Sequence, residues 1–265
     1  MKNIKVLILR TAGTNCDKET AFAFESAGAS AELVHVNKLS TGTKSLDDYQ
    51  ILAIPGGFTY GDDIASGKIL ANELKFAIEK DLERFISAGK LVIGICNGFQ
   101  VLVKAGLLPN LTGDFKTIEA TLTLNDSNKF EDRWVHLKKT QGRCVWTKGI
   151  NGVISLPVAH GEGKFIPKDK NVLRKLENDG LIALEYTDLL GKKAGYPCNP
   201  NGAVRDIAGI CDPTGRIFGL MPHPERHLSA YQHPEWTRKE LSEQGGEGDG
   251  LIIFKNGVNF AKKYL

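Results

Sequence analysis

The stretch Gly94-Ile-Cys96-Asn-Gly98-Phe-Gln100 is the place in this chain where a thiol could do chemistry. Ahead of it, residues 91–95 are apolar or small, as in a strand buried on both faces. Behind it, Phe99, Gln100, Val101, Leu102 and Val103 start a helix at once. A cysteine on a sharp strand-to-helix turn, flanked by glycines, is the thiol counterpart of a nucleophile elbow. The glycines let neighbouring backbones pass close to a residue held in a strained turn. The helix that follows aims its free N–H groups and positive dipole end at the sulfur, which favours the nucleophilic thiolate. A cysteine after an apolar run is ordinarily just a small buried hydrophobe, so the assignment needs a partner base.

Met221-Pro222-His223-Pro224-Glu225-Arg226 offers that base. In extended backbone, residues two apart share a side, and the prolines at 222 and 224 keep the segment out of a helix. A carboxylate so placed fixes an imidazole's tautomer and stabilises the imidazolium. Cys96, His223 and Glu225 therefore read as nucleophile, base and orienting carboxylate. The oxyanion such an attack creates needs backbone N–H donors. Gly57, in Pro55-Gly56-Gly57, and Asn97 are the candidates. Cys16, in a loop between strand and helix, is the rival nucleophile, but it lacks the paired glycines. His160, in Ala159-His160-Gly161-Glu162-Gly163, is a rival base or a residue that touches substrate. His35, His136, His227 and His233 have no comparable surroundings and receive no role.

These residues need a frame that gathers strand ends. Residues 5–9, 31–36 and 51–54 read as strands. Helices alternate with them. One follows residue 16, capped by Asp17 and stopped at Gly28. Another crosses 69–85, where Leu70, Leu74, Ala77, Ile78, Leu82 and Phe85 recur at helical spacing. Such alternation predicts a parallel sheet covered on both faces, with chemistry at the carboxyl ends of its strands. Residues 10–16, 55–57 and Cys96 all fall there. Beyond residue 111, segments 120–124 and 134–137 point to antiparallel strands. Further strands are expected at 153–158, 182–186, 208–211 and 217–221, and a helix at 172–178. Asp212-Pro213-Thr214-Gly215 joins the last two strands as a hairpin. Residues 242–250, polar and glycine-rich, read as a mobile loop. The stripe Leu251, Phe254, Val258, Ala261 and Leu265 reads as a closing helix.

Composition narrows the field. Of 265 residues, 42% are hydrophobic and 25% charged, which suits a globular chain with an extensive core. A net charge of +3 without a basic run gives no sign of nucleic acid or a membrane surface as partner. No apolar stretch approaches membrane-spanning length, and MKNIKVLILRTAG lacks the features of a secretory signal. Five cysteines without CxxC spacing suit a reduced, cytoplasmic protein with no structural disulfide and no metal site.

Taken together, GTNCDKET (13–20), PGGFTYGDD (55–63), GICNGFQVL (94–102), PVAHGEGKF (157–165), NPNGAVRDIAGI (199–210) and GLMPHPERH (219–227) resemble the class I, or triad, glutamine amidotransferases. Within that family they look like the glutaminase subunits of purine biosynthesis. The resemblance implies a single domain over residues 1–265. Its α/β fold would have three layers, a mostly parallel central sheet with helices on both faces, plus a small antiparallel portion. The resemblance also implies that the Cys96 thiolate attacks the side-chain amide of L-glutamine. His223, oriented by Glu225, would protonate the departing ammonia, and water would hydrolyse the γ-glutamyl thioester. Gly56, Gln100, His160 and Gly161 would lie near the bound glutamine.

Two protein partners are implied as well. One is a large synthetase subunit that uses the ammonia, with ATP and magnesium, to turn formylglycinamide ribonucleotide into its amidine. The other is a small bridging subunit. No cofactor or metal is expected in this chain itself. Two departures stand out: Arg10-Thr-Ala-Gly13 replaces the family's usual Pro-Gly, and the polar stretch 229–250 is longer than in the shortest members. A thiol hydrolase on a similar sheet and an inactive binding module are the other readings. The paired His223 and Glu225 near the end of the chain count against both.

Overall fold

Aliphatic runs too short for helices build the centre of the molecule. The computed structural model describes residues 3–62, 64–238 and 246–265. In chain order its elements are β1 (Lys5–Arg10), α1 (Asp17–Ser26), β2 (Ser30–His35), α2 (Val36–Ser40), β3 (Ile51–Ile54), α3 (Lys68–Ala77), α4 (Glu79–Ser87), β4 (Leu91–Ile95) and α5 (Asn97–Lys104). They continue with β5 (Ala120–Thr123), β6 (Glu131–Lys139), β7 (Val153–His160), β8 (Lys164–Pro167), α6 (Lys170–Asn178), β9 (Ile182–Thr187), β10 (Ile207–Cys211), β11 (Ile217–Leu220) and α7 (Leu251–Tyr264).

Nine strands pair in the order β2-β1-β3-β4-β11-β10-β9-β6-β7. The first five are mutually parallel, and each later neighbour is antiparallel. Two successive reversals restore direction, so β9 and β7 point with the parallel five. The sheet is thus mixed but mostly unidirectional, as expected. Much of the expected antiparallel portion extends this same sheet, while β5 and β8 form a separate antiparallel pair. Every residue of β4 and β11 is buried, as a strand covered on both faces requires. Two groups of helices cover the sheet. α1 packs on α7, where Phe24 meets Phe254 and Trp146 edge-to-face. α5, with α3 against it, lies over β3, β4 and β11. No helix among the described residues is long and apolar enough to cross a membrane.

Three expectations need correction. Cys16, not Asp17, caps α1; Asp17 is drawn instead into an ion pair with Arg10 at 2.5 Å. The helix expected across 69–85 is two helices. The buried Ile78 leaves helical geometry at φ −136°, turning the axis so that Leu82, Phe85 and Ile86 also reach the core. The mobile loop expected at 242–250 lies outside the described residues up to 245, and the rest of it is fastened. Ser229 bridges to Glu247, the Gly250 N–H donates to the His227 carbonyl at 2.8 Å, and the Asp249 carboxylate accepts from the Ser155 N–H at 2.7 Å.

The tightest crossing sits under the elbow. Gly98 rests on the Ile54 carbonyl, and a Cβ there would overlap that oxygen. A Cβ on Gly94 would come 2.5 Å from the Gly98 carbonyl. These two glycines let α5 lie flush on β3 and β4. Gly98→Ala should therefore lower stability by about 1–3 kcal/mol, the cost of overpacking, read as a lower urea midpoint. Gly195→Ala, which meets open space, should change stability by less than about 0.5 kcal/mol.

Candidate active site

Because β1, β3, β4 and β11 run in one direction, their carboxyl ends bring four distant segments together: the loop to Cys16, Gly56-Gly57, Cys96 and His223-Glu225. Cys96 sits between β4 and α5 at φ 51°, ψ −105°, a conformation that costs a non-glycine residue about 1–3 kcal/mol. Its N–H donates to the Leu220 carbonyl at 2.8 Å. Its sulfur lies 3.7 Å from the Ala159 carbonyl.

His223 follows β11 and is pinned to β7, its N–H donating to the Pro157 carbonyl at 2.8 Å. Pro224, Glu225 and Arg226 form a 3₁₀ turn, so the shared side expected from extended backbone arises from a turn instead. The result is the same: His223 Nδ1 lies 2.6 Å from Glu225 Oε1, and both side chains are buried. His223 Nε2 has no hydrogen-bond partner among the described residues, which leaves this nitrogen for a reacting group. Burial works against the imidazolium, but the Glu225 carboxylate and then the Cys96 and Cys16 sulfurs outweigh it. The ring is held well above the ordinary histidine pKa.

Asn97 ties the donors together. Its Oδ1 accepts from Thr59 Oγ1 at 2.7 Å. Its Nδ2 donates to Asp62 Oδ1 at 3.1 Å and Gln100 Oε1 at 3.0 Å. Gln100 Nε2 in turn donates to the Glu162 carbonyl at 2.5 Å. This chain of amides draws the Gly57 loop and the loop of His160 and Gly161 against the first turn of α5, whose leading N–H groups have no partner inside the helix. Gly57 is at φ 146°, and a Cβ there would come 2.7 Å from the Gly13 carbonyl. Gly56 presents its bare α-carbon to His223 Cε1, 2.7 Å from where a Cβ would stand.

His160 is a different histidine. Its Nδ1 pairs with Asn125 Oδ1 at 3.2 Å. Asn125 is itself oriented by donating Nδ2 to the Lys129 and His160 carbonyls, so His160 carries its proton on Nδ1. Burial and then the nearby charge of His223 push its pKa down to about 3. A neutral ring of that kind cannot serve as the base that later becomes imidazolium. A cleft of about 270 Å³ opens beside these groups, with Gly57, Asp62, Cys96, Gln100, His160 and Glu162 in its lining.

Cys16 also reaches the imidazole. Its sulfur, a His223 ring nitrogen and a Glu225 carboxylate oxygen lie within 4.8 Å of one another. Arg226 Nη2 donates to the same sulfur at 3.1 Å, and that fixed cation disfavours a metal ion there. Cys16 has ordinary backbone angles, is fully buried and does not line the cleft. The sequence reading missed Thr59, Asp62, Asn125 and Arg226. Thr59 and Asp62 lie inside PGGFTYGDD, and a run of Thr, Tyr and Asp after two glycines was the available signal.

A mostly parallel sheet that carries a strained cysteine elbow, with a buried His–Glu pair on the adjoining strand end, is the framework of a thiol-dependent acyl-transfer enzyme. The family model described as a CobB/CobQ-like glutamine amidotransferase domain matches residues 3–261, and the chain belongs to that family. It is 49% identical over 265 residues to the phosphoribosylformylglycinamidine synthase subunit PurQ of Dehalococcoides mccartyi, covering 99% of this chain and 100% of that one. It is 47% identical over 268 residues to the subunit of the same name from Methanococcus maripaludis, covering 98% of each. Among solved structures, PurLQS from Thermotoga maritima contains a chain 30% identical to it, with a TM-score of 0.72 and coverage of 98% and 99%.

The His223–Glu225 pair makes a testable electrostatic claim. The folded pKa of His223 lies above the unfolded value of about 6.5. The stability this pair contributes is therefore complete below that pH and is lost as pH rises through the folded pKa. Glu225→Gln should lower the His223 pKa, followed by NMR of the ring protons, and should flatten this loss of stability on the alkaline side. An unchanged titration would show that the carboxylate is not its cause.

Proposed function

We propose that this chain is the glutaminase subunit of a phosphoribosylformylglycinamidine synthase. The observation that carries this reading is the elbow Cys96 beside the buried His223–Glu225 pair, in a chain that aligns end to end with subunits of that name. In this mechanism the Cys96 sulfur attacks the side-chain carbonyl carbon of L-glutamine. The N–H groups of Gly57 and Asn97 receive the developing oxyanion. The raised His223 imidazolium gives its proton to the leaving nitrogen, so ammonia departs and a γ-glutamyl thioester remains. His223, now neutral and held in its tautomer by Glu225, takes a proton from water, which attacks the thioester and releases glutamate and the thiolate. Gly56, Gln100, His160 and Gly161 shape the pocket around the glutamine.

The ammonia then passes to a large synthetase subunit, which aminates formylglycinamide ribonucleotide. ATP and magnesium belong to that partner, and this chain needs no cofactor of its own. A small third subunit bridges the two, in keeping with the three letters of the Thermotoga maritima assembly. The work takes place in the cytoplasm. Exposed Phe58, Leu124 and Phe130 rim the cleft, and such an apolar rim suits a surface that is covered on assembly.

In the assembled enzyme, Cys96→Ala should cut glutamine-dependent synthesis on the order of a thousandfold or more and leave synthesis from added ammonium salt intact. Loss of both would point to failed assembly. A glutamine-mimicking diazo-ketone should add its mass to the peptide that contains Cys96, and labelling at Cys16 would overturn the choice of nucleophile. Glutamate release by this chain should rise when the synthetase is added, because coupling requires a closed site.

A further inference from the structure

The cleft carries a charge pattern that the chemistry at Cys96 does not use. Its lining holds two carboxylates, Asp62 and Glu162, and no lysine or arginine. Glu162 has a cation, Lys104, at 3.8 Å. Asp62 has none within ion-pair distance among the described residues. Lys104 feels the Asp62 charge, but its ammonium donates to the Ser66 carbonyl at 2.5 Å. Asp62 is instead held by neutral donors: Ser66 Oγ at 3.0 Å on one oxygen, with the Gly67 N–H at 3.2 Å and Asn97 Nδ2 at 3.1 Å on the other.

The backbone is bent to put it there. Tyr60, Gly61 and Asp62 have φ of 55°, 70° and 54°, three consecutive residues in the left-handed region. Side-chain-bearing residues enter that region reluctantly. A strained turn that delivers a carboxylate without an ion-pair partner to the wall of a substrate cleft is a common form of functional strain.

We infer that Asp62 is the group that reads the α-ammonium of L-glutamine, and so makes the site specific for an amino acid rather than for any primary amide. This rests on the glutaminase reading above. The amide carbon must lie at Cys96, and the ammonium is at the opposite end of the molecule. The same cleft runs from Cys96 to Asp62. With no cation in the lining to attract the α-carboxylate, charge recognition falls to the ammonium end. Asn97 links the two ends of the site, since the proposed mechanism uses its backbone N–H for the oxyanion and its side chain donates to Asp62. A charge-assisted hydrogen bond here discriminates because a ligand that lacks the ammonium leaves the half-buried Asp62 carboxylate without an ionic partner.

The test is steady-state kinetics of the complete complex with L-glutamine and with glutaramate, which is glutamine without its α-amino group. Asp62→Asn removes the charge but can keep all three supporting bonds. Its Oδ1 still accepts from Asn97 and Gly67, and its Nδ2 can donate to the Ser66 hydroxyl. The ratio of kcat/KM for glutamine over glutaramate should fall on the order of ten- to a hundredfold, the range expected for a hydrogen bond to a charged group. The fall should appear mainly as a higher KM for glutamine, with the glutaramate constants little changed. Ser66→Ala, which removes a support but leaves the charge, should keep the ratio. Equal losses for both substrates in Asp62→Asn would mean a purely structural role and would overturn the inference. A wild-type complex that releases no glutamate from glutamine would overturn the function itself, and is told apart because the unmutated enzyme is then silent.

Discussion

The carboxyl edge of the sheet depends on one constraint, the backbone of Cys96 held at φ 51°, ψ −105°. No side chain chooses that conformation unaided. Here it is enforced from several directions. The Cys96 N–H is taken by the Leu220 carbonyl on β11. The helix that must start immediately is anchored from its first turn on, since residues 97–103 are all buried. Gly98 lets that turn sit directly on the Ile54 carbonyl of β3. Relaxing Cys96 would lift α5 from three strands at once, so the strain persists because the packing around it is worth more.

Two buried histidines a short way apart show how environment divides labour. His223 and His160 are both nearly inaccessible, and desolvation alone would keep both neutral. The carboxylate of Glu225 and the neighbouring sulfurs reverse the outcome at His223, whereas His160 faces the neutral amide of Asn125 and the charge of His223 itself. One ring is therefore poised to exchange a proton, and the other stays a neutral wall across the physiological range. The difference lies in what each Nδ1 meets, an acid in one case and an amide in the other.

Most of the frame was legible in the sequence. The strand at 51–54 and the β10–β11 hairpin stand where aliphatic runs and turn residues place them, because buried parallel strands advertise themselves as unbroken apolar runs. The elbow and the His–Glu pair were legible for a related reason: glycine and proline spacing reports backbone conformation directly. What was not legible depends on tertiary partners. Asp17 looks like a helix cap until Arg10 draws it into an ion pair. The kink at Ile78 is decided by which core the second half of the helix must reach. Residues 246–250 look loose by composition, yet His227, Leu228 and Ser155 fasten them. The link from Asn97 and Gln100 on α5 to Asp62 carries no periodic signature, since Asp62 reaches them from a separate loop.

Cys16 sharpens what makes a thiol a nucleophile. It shares several of the local signals of Cys96: a place between a strand and a helix, a helix beginning at the next residue, and His223 beside its sulfur. Local electrostatics alone would therefore not separate the two. Access and geometry do. The Cys16 sulfur is occupied, accepting from Arg226 at 3.1 Å and donating to Asn15 Oδ1 at 3.2 Å, and Cys16 is not in the lining of the Cys96 cleft. The Cys96 residue lines the cleft, where a small ligand can approach it. Gly56 keeps the arrangement compact, because a side chain there would strike His223 Cε1 and crowd the Cys16 sulfur. Cys16 thus packs beside the His223–Glu225 pair as a buried, hydrogen-bonded thiol.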